Sequence, residues 1–173
     1  MASRQMKRLL ILALVCSAGL SAQTLRWFST SGATSQTGSA STFTIQQPAS
    51  GATNAYIDQV VVYCSVACTV TFAANGTGAT TTAGTVTPLL PYSLSATPNV
   101  NAFTASNVGA GTAQGGSGYV GAGGQVTFCF SQTCGVSGQL ILNTSGTAIN
   151  NNFSVTISAI TGTSNIAIYG RSQ

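Results

Sequence analysis

The sequence predicts an all-β protein, a single antiparallel β-sandwich of jelly-roll or Greek-key type with an extended N-terminal arm, and two observations carry that prediction. Val, Ile, Phe and Tyr recur in short alternating runs split by Gly, Pro, Asn and Ser clusters, which is the pattern of short strands joined by turns. No segment sustains a helical period, and the abundant Gly and β-branched residues disfavour helix throughout.

The elements follow in order. Arg4, Lys7 and Arg8 precede an apolar run from Leu9 to Val15 and the small residues Ser17, Ala18, Gly19, Ser21 and Ala22. This is the layout of a secretory leader over 1–22, in which cleavage after Ala22 makes Gln23 the first exported residue and Ala18, leaving Gly19, is the second candidate. The run falls well short of the roughly 20 apolar residues that span a bilayer, so no membrane span is expected and the location is secreted, extracellular or cell surface.

Residues 23–54 read as an arm and linker. Leu25, Arg26, Trp27 and Phe28 form a strand candidate, Ser29 to Thr42 has the Ser/Thr/Gly composition of a flexible linker, and Phe43 to Ile45 is a further short strand before Pro48. Fully extended, the linker reaches on the order of 40 Å. The arm is expected to be separable from the domain that follows.

That domain, 55–173, offers eight strands: Tyr56 to Cys64, Cys68 to Ala73, Thr80 to Leu90, Ala102 to Ser106, Gln125 to Phe130, Gln139 to Leu142, Phe153 to Ile160 and Asn165 to Tyr169. Phe153, Val155, Ile157 and Ala159 alternate with Ser154, Thr156 and Ser158, which places one set on the core face and the other outside. The long connections Pro91 to Asn101 and Val108 to Gly124 favour a Greek-key or jelly-roll path, with an immunoglobulin-like sandwich as the alternative.

Cys64 and Cys68 flank three residues, and Cys129 and Cys134 flank four. In an exported chain four cysteines read as two disulfides, with three connectivities open. Cys64 is in phase with Val60 and Val62, and Cys68 with Val70 and Phe72, so both face the core. Cys129 is in phase with Gln125 and Thr127, on the opposite face. This parity favours the local pairs. A zinc site is not expected, because no histidine exists and neither spacing supplies a third ligand.

Charge excludes more than it identifies. The chain has five Lys and Arg, one Asp or Glu and no His, and past residue 22 only Arg26, Arg171 and Asp58 are left. General acid–base, nucleophilic and metal-assisted chemistry draw on groups that are almost all missing. No catalytic residue, no cofactor and no metal is expected, and the chain reads as not an enzyme. Nucleic-acid binding needs a basic patch, and none exists. Gly116-Ser-Gly118-Tyr-Val-Gly121 matches GxGxxG, but neither the following helix nor the later acidic residue is present. It reads as a surface loop.

The run from Val155 to Gly170, VTISAITGTSNIAIYG, resembles the last strand pair of secreted bacterial jelly-roll subunits. The resemblance is one of pattern: it implies the sandwich fold and transfers no site residue.

Sheet proteins guard their edges with lysine, inward charge or proline. Here the exported chain has no lysine and almost no charge, and a net charge near zero favours association. The expected function is therefore a secreted structural subunit of a filament, coat or matrix whose partner is a further copy of itself. Leu25, Trp27 and Phe28 of the arm are the candidates for strand addition to a neighbour's sheet. The alternative is a glycan-binding or adhesion module that uses Trp27 and the tyrosines against neutral sugars. Peptide mapping under non-reducing conditions is expected to recover Cys64 with Cys68 and Cys129 with Cys134; a peptide joining the two regions would refute the parity argument.

Overall fold

The structure is a computed structural model that describes residues 25–47, 54–74, 82–83, 86–88, 100–104, 112–134, 140–142 and 152–172. The leader pattern over 1–22 and most of the Pro91 to Asn101 connection lie outside the described residues. Among the described residues the chain is all-β, with one 3-10 turn at Gln132–Cys134. The strands are β1 (Leu25–Thr30), β2 (Thr34–Gln46), β3 (Ala55–Cys64), β4 (Cys68–Ala74), β5 (Thr82–Ala83), β6 (Val86–Pro88), β7 (Asn101–Thr104), β8 (Thr112–Val120), β9 (Gly124–Cys129), β10 (Leu140–Leu142) and β11 (Asn152–Ser172). They hydrogen-bond into one antiparallel sheet.

β11 is the axis of that sheet. Its residues 152–164 pair with β2 and its residues 167–172 with β1, so β2 and β1 lie end to end along one side. Along the other side, β4 pairs with 153–157 and β3 with 164–172. Beyond them β8 pairs with β4 and β9 with β3. The flanking strands therefore break at one level, at 31–33, 65–67 and 121–123, and the sheet folds over there. Its two wings meet through aromatic side chains: Phe72 of β4 lies edge-on to Phe128 of β9 with centroids 4.9 Å apart, and Phe130 edge-on to Phe153 of β11 at 5.3 Å.

A strand that bends must change the face it buries. In β11 the buried apolar residues are Phe153, Val155 and Ile157 before the bend and Ile160, Ile166 and Ile168 after it, a switch from odd to even positions. The switch is made at register shifts between Ile157 and Thr161: the first sets one extra residue of β11 against β2, and the second one extra residue of β2 against β11. Ala159, expected on the core face, is consequently exposed. The amide of buried Gln36 serves the interrupted ladder: with its amide oriented to satisfy both ends, Nε2 donates to Ser158 O at 3.3 Å and Ser39 O at 3.2 Å, while Oε1 accepts from Ser164 Oγ at 2.8 Å.

Two serines hold the fold line on either side of β11 by the same device. The N–H of Ser31 donates to Ile166 O at 2.9 Å, and its Oγ accepts from Ile166 N at 3.0 Å. On the other side the N–H of Ser65 donates to Thr163 O at 2.8 Å, and its Oγ accepts from Thr163 N at 2.7 Å. Each hydroxyl stands where a strand carbonyl would continue the ladder, so the β11 amides stay paired while the flanking chain turns away. Gly32 and Gly123 take left-handed φ values of 68° and 67° at the two glycine breaks, a region other residues rarely adopt. The third break, between β3 and β4, is bracketed by Cys64 and Cys68, whose Cα atoms are 6.3 Å apart in a disulfide pair.

Four sequence expectations are corrected. Ser29 to Thr42, read as a flexible linker, is the end of β1 and most of β2, because its small hydroxyl residues pair across to the equally hydroxyl-rich β11, as in the Thr42–Thr156 hydroxyl contact at 2.9 Å. Leu25–Thr30 is a strand of the chain's own sheet rather than a separable arm, and Trp27 is fully buried in the same core as the residues after 55. Val108 to Gly124, read as a glycine-rich loop, contains β8; Gly118 is required there because a Cβ would collide with the Phe128 ring. The two strands expected at 153–160 and 165–169 are one.

A Cβ at Gly162 would lie 2.6 Å from Ser65 Oγ and 3.0 Å from Val66 Cγ2, pressing on the serine clamp. Gly162→Val is expected to lower stability by about 1–3 kcal/mol and Ser65→Ala by about 1 kcal/mol, whereas Gly121→Ala, which meets open space, should change little. Urea titration of the three variants checks this; equal midpoints would remove the fold line from the account.

Candidate functional site

The outer face of the wing formed by β1, β11 and β3 gathers the charged side chains of the described chain. Arg26 and Arg171 are register partners on β1 and β11, and Arg171 stands next to Tyr56 on β3. Arg171 Nη1 pairs with Asp58 Oδ1 at 3.1 Å, and its guanidinium carbon lies 5.3 Å from the centre of the Tyr56 ring. One rung further along, Phe28 and Tyr169 stack at 5.9 Å. Asp58 reaches this face because β3 has a register irregularity opposite Tyr169 and Gly170, which moves the buried set from Ala55 and Ile57 to Val60, Val62 and Cys64.

Burial pushes the Asp58 carboxyl above the usual aspartate value, and the attraction of Arg171, then of Arg26, only partly offsets it. Both members of the pair are a quarter exposed, so its net contribution to stability is small. Asp58 is the sole carboxylate side chain of the chain, which leaves it no second acid with which to share a proton. Among the described residues no cluster of three or more His, Cys, Asp or Glu forms a metal-binding set.

The second notable surface is an edge. β9 and β10 lie end to end along the outer side of β3, and β8 lies along the outer side of β4. Among the described residues no strand pairs with the far side of β8 or β9. The stretch Thr112 to Cys129 contains no Lys, Arg, Asp, Glu or Pro, so it lacks the usual guards of a sheet edge. Among the described residues, the hydrophobic residues that pack on the core but stay only partly buried are Val126, Phe128, Phe130 and Leu140. All four belong to this edge. Among the described residues, the core is thus least covered beside the strand border without a paired neighbour.

Of the residues singled out by sequence, Cys64 and Cys68 are buried at the fold line, and Cys129 and Cys134, with Cα atoms 6.2 Å apart in a disulfide pair, close the end of β9. Such pairs suit an oxidising compartment outside the cytoplasm. Leu25, Trp27 and Phe28 come together on β1 but point to different faces: Phe28 outward onto Tyr169, and Trp27 inward over Gly170, where a Cβ would collide with the indole. The edge residues Gln125 to Phe128 were not singled out as a site. The signal for them was the missing charge and proline over Thr112 to Cys129. No helix among the described residues is long and apolar enough to cross a membrane. No protein-family model, curated protein or solved structure matches the chain.

A raised carboxyl pKa means the folded state holds the proton more tightly than the unfolded chain. Asp58 therefore adds stability below the unfolded aspartate value, and that contribution is lost as pH rises through the folded value. Melting curves between about pH 3 and pH 7 should show a slightly higher midpoint on the acid side, and Asp58→Asn should flatten the difference. A midpoint that climbs with pH in the parent and not in Asp58→Asn would mean that ion-pair attraction outweighs burial.

Proposed function

We propose that the protein is an exported, non-catalytic structural subunit that associates with further copies of itself. The observation that carries this reading is the unguarded edge: a strand border from Thr112 to Cys129 without charge or proline, beside core residues that are incompletely covered. A monomer of this composition would be prone to uncontrolled pairing, so an edge left in this state suits a protein whose edge is occupied in use. Charge supports the same reading, because Arg26, Arg171 and Asp58 alone leave the exported chain close to neutral and copies meet without like-charge repulsion. The leader pattern and the two disulfide pairs support export.

Binding of neutral glycans is the second reading. It draws on the partly exposed aromatic residues Tyr56, Phe28 and Tyr169 on one outer face, since aromatic rings stack on the apolar faces of sugars. The two readings separate on one preparation. Protein recovered from the medium of expressing cells should begin at Gln23 and show regular assemblies by electron microscopy, without added ligand. A protein that stays monomeric at high concentration and is retained on neutral polysaccharide would replace the first reading with the second.

A further inference from the structure

The backbone at the open edge has a defined polarity. Phe130 N–H donates to Asp58 O at 2.9 Å, toward β3. Alternate residues of a strand direct their N–H and C=O groups to opposite sides, so Phe128 and Val126 also face β3, while Gln125, Thr127 and Cys129 turn theirs to the open side. The side chains obey the other alternation. Val126 and Phe128 lie on the core face, Phe128 against Phe72, and Gln125 and Thr127 are exposed on the outer face.

Resting on the self-association reading, we infer that β9 pairs antiparallel with β9 of a second copy about a two-fold axis at Thr127. In that register Thr127 faces Thr127, Gln125 faces Cys129, and Val126 of each copy sits beside Phe128 of the other. The open peptide groups of Gln125, Thr127 and Cys129 are satisfied by their own counterparts. The smaller and larger apolar side chains meet on the core face, covering the residues that the single chain leaves partly exposed.

A second copy is favoured over a foreign strand for two reasons. Antiparallel pairing of identical strands is self-complementary by construction, which is the rule for two-fold interfaces. The segment Thr112 to Cys129 offers no charge with which to select a different partner, and none to repel its own copy. The contact closes at two copies, so it is one joint of any larger assembly. A single strand pair with four apolar side chains lies at or below the lower end of standard interfaces, about 1,200 Å². The pairing is accordingly concentration-dependent.

Sedimentation velocity over a range of concentrations tests the pairing with Thr127→Pro, Thr127→Lys and the control Thr71→Lys. Proline at 127 removes an N–H that points away from β3, and lysine keeps the backbone but sets two positive charges opposite each other at the axis; either should weaken dimerisation at least tenfold. Thr71 is exposed on β4, away from the proposed contact, and its variant should dimerise like the parent. Near-ultraviolet circular dichroism establishes folding, and if the proline variant unfolds, the lysine variant carries the test. Parent dimers that persist unchanged in a folded Thr127 variant would overturn the β9 pairing and leave self-association standing. A parent protein that is monomeric up to about millimolar concentration, far above the range of specific interfaces, would overturn both.

Discussion

The bend across four neighbouring strand paths at one level is the constraint on which this structure depends. A flat antiparallel sheet of this length would leave one whole face of Val, Ile and Phe side chains in water, and folding it brings the two halves of that face together. The bend would normally leave backbone amides unpaired at the crease. Ser31 and Ser65 remove that cost by lending hydroxyl oxygens to Ile166 and Thr163, and Gln36 covers the carbonyls released by the bulge. Gly32, Gly123 and Gly162 supply the conformations and the close approach that side chains would forbid.

Much of the fold was legible because alternation is a local signal. The strands from Tyr56 to Cys64 and Cys68 to Ala73 lie within a residue of β3 and β4, and the parity of Cys64, Cys68 and Cys129 agreed with the disulfide pairs the structure holds. Where composition was used instead of alternation, the reading failed. Ser29 to Thr42 and Val108 to Gly124 look like linkers because their residues are small and polar, yet strands facing other hydroxyl-rich strands or an aromatic ring need small residues. The N-terminal segment reads as lying outside the domain for the same reason, although Trp27 opposite Gly170 is a matched pair that only the register reveals.

The outer charged cluster was legible as a set of residues but not as an arrangement. Composition leaves Arg26 and Arg171 as the cations available to Asp58 past residue 22, and the structure pairs the carboxylate with Arg171 next to the irregularity in β3. Asp58 is the extra residue of that irregularity, between Ile57 opposite Gly170 and Gln59 opposite Tyr169, and one inserted residue changes every facing beyond it. The edge residues were the hardest to find. Their significance lies in what surrounds them, a side with no neighbouring strand among the described residues and a thin apolar cover, and neither property belongs to any residue by itself.

The open edge of β9 is the surface on which the functional account rests, and residue-resolved hydrogen exchange of the protein at low and high concentration tests it most directly. Slow exchange is expected at Val126 and Phe128 under both conditions, since their amides face β3. Gln125, Thr127 and Cys129 should exchange fast when dilute and become protected when concentrated. Fast exchange at these three amides in a sample that is demonstrably associated would contradict the account, because the copies would then meet somewhere other than at this edge.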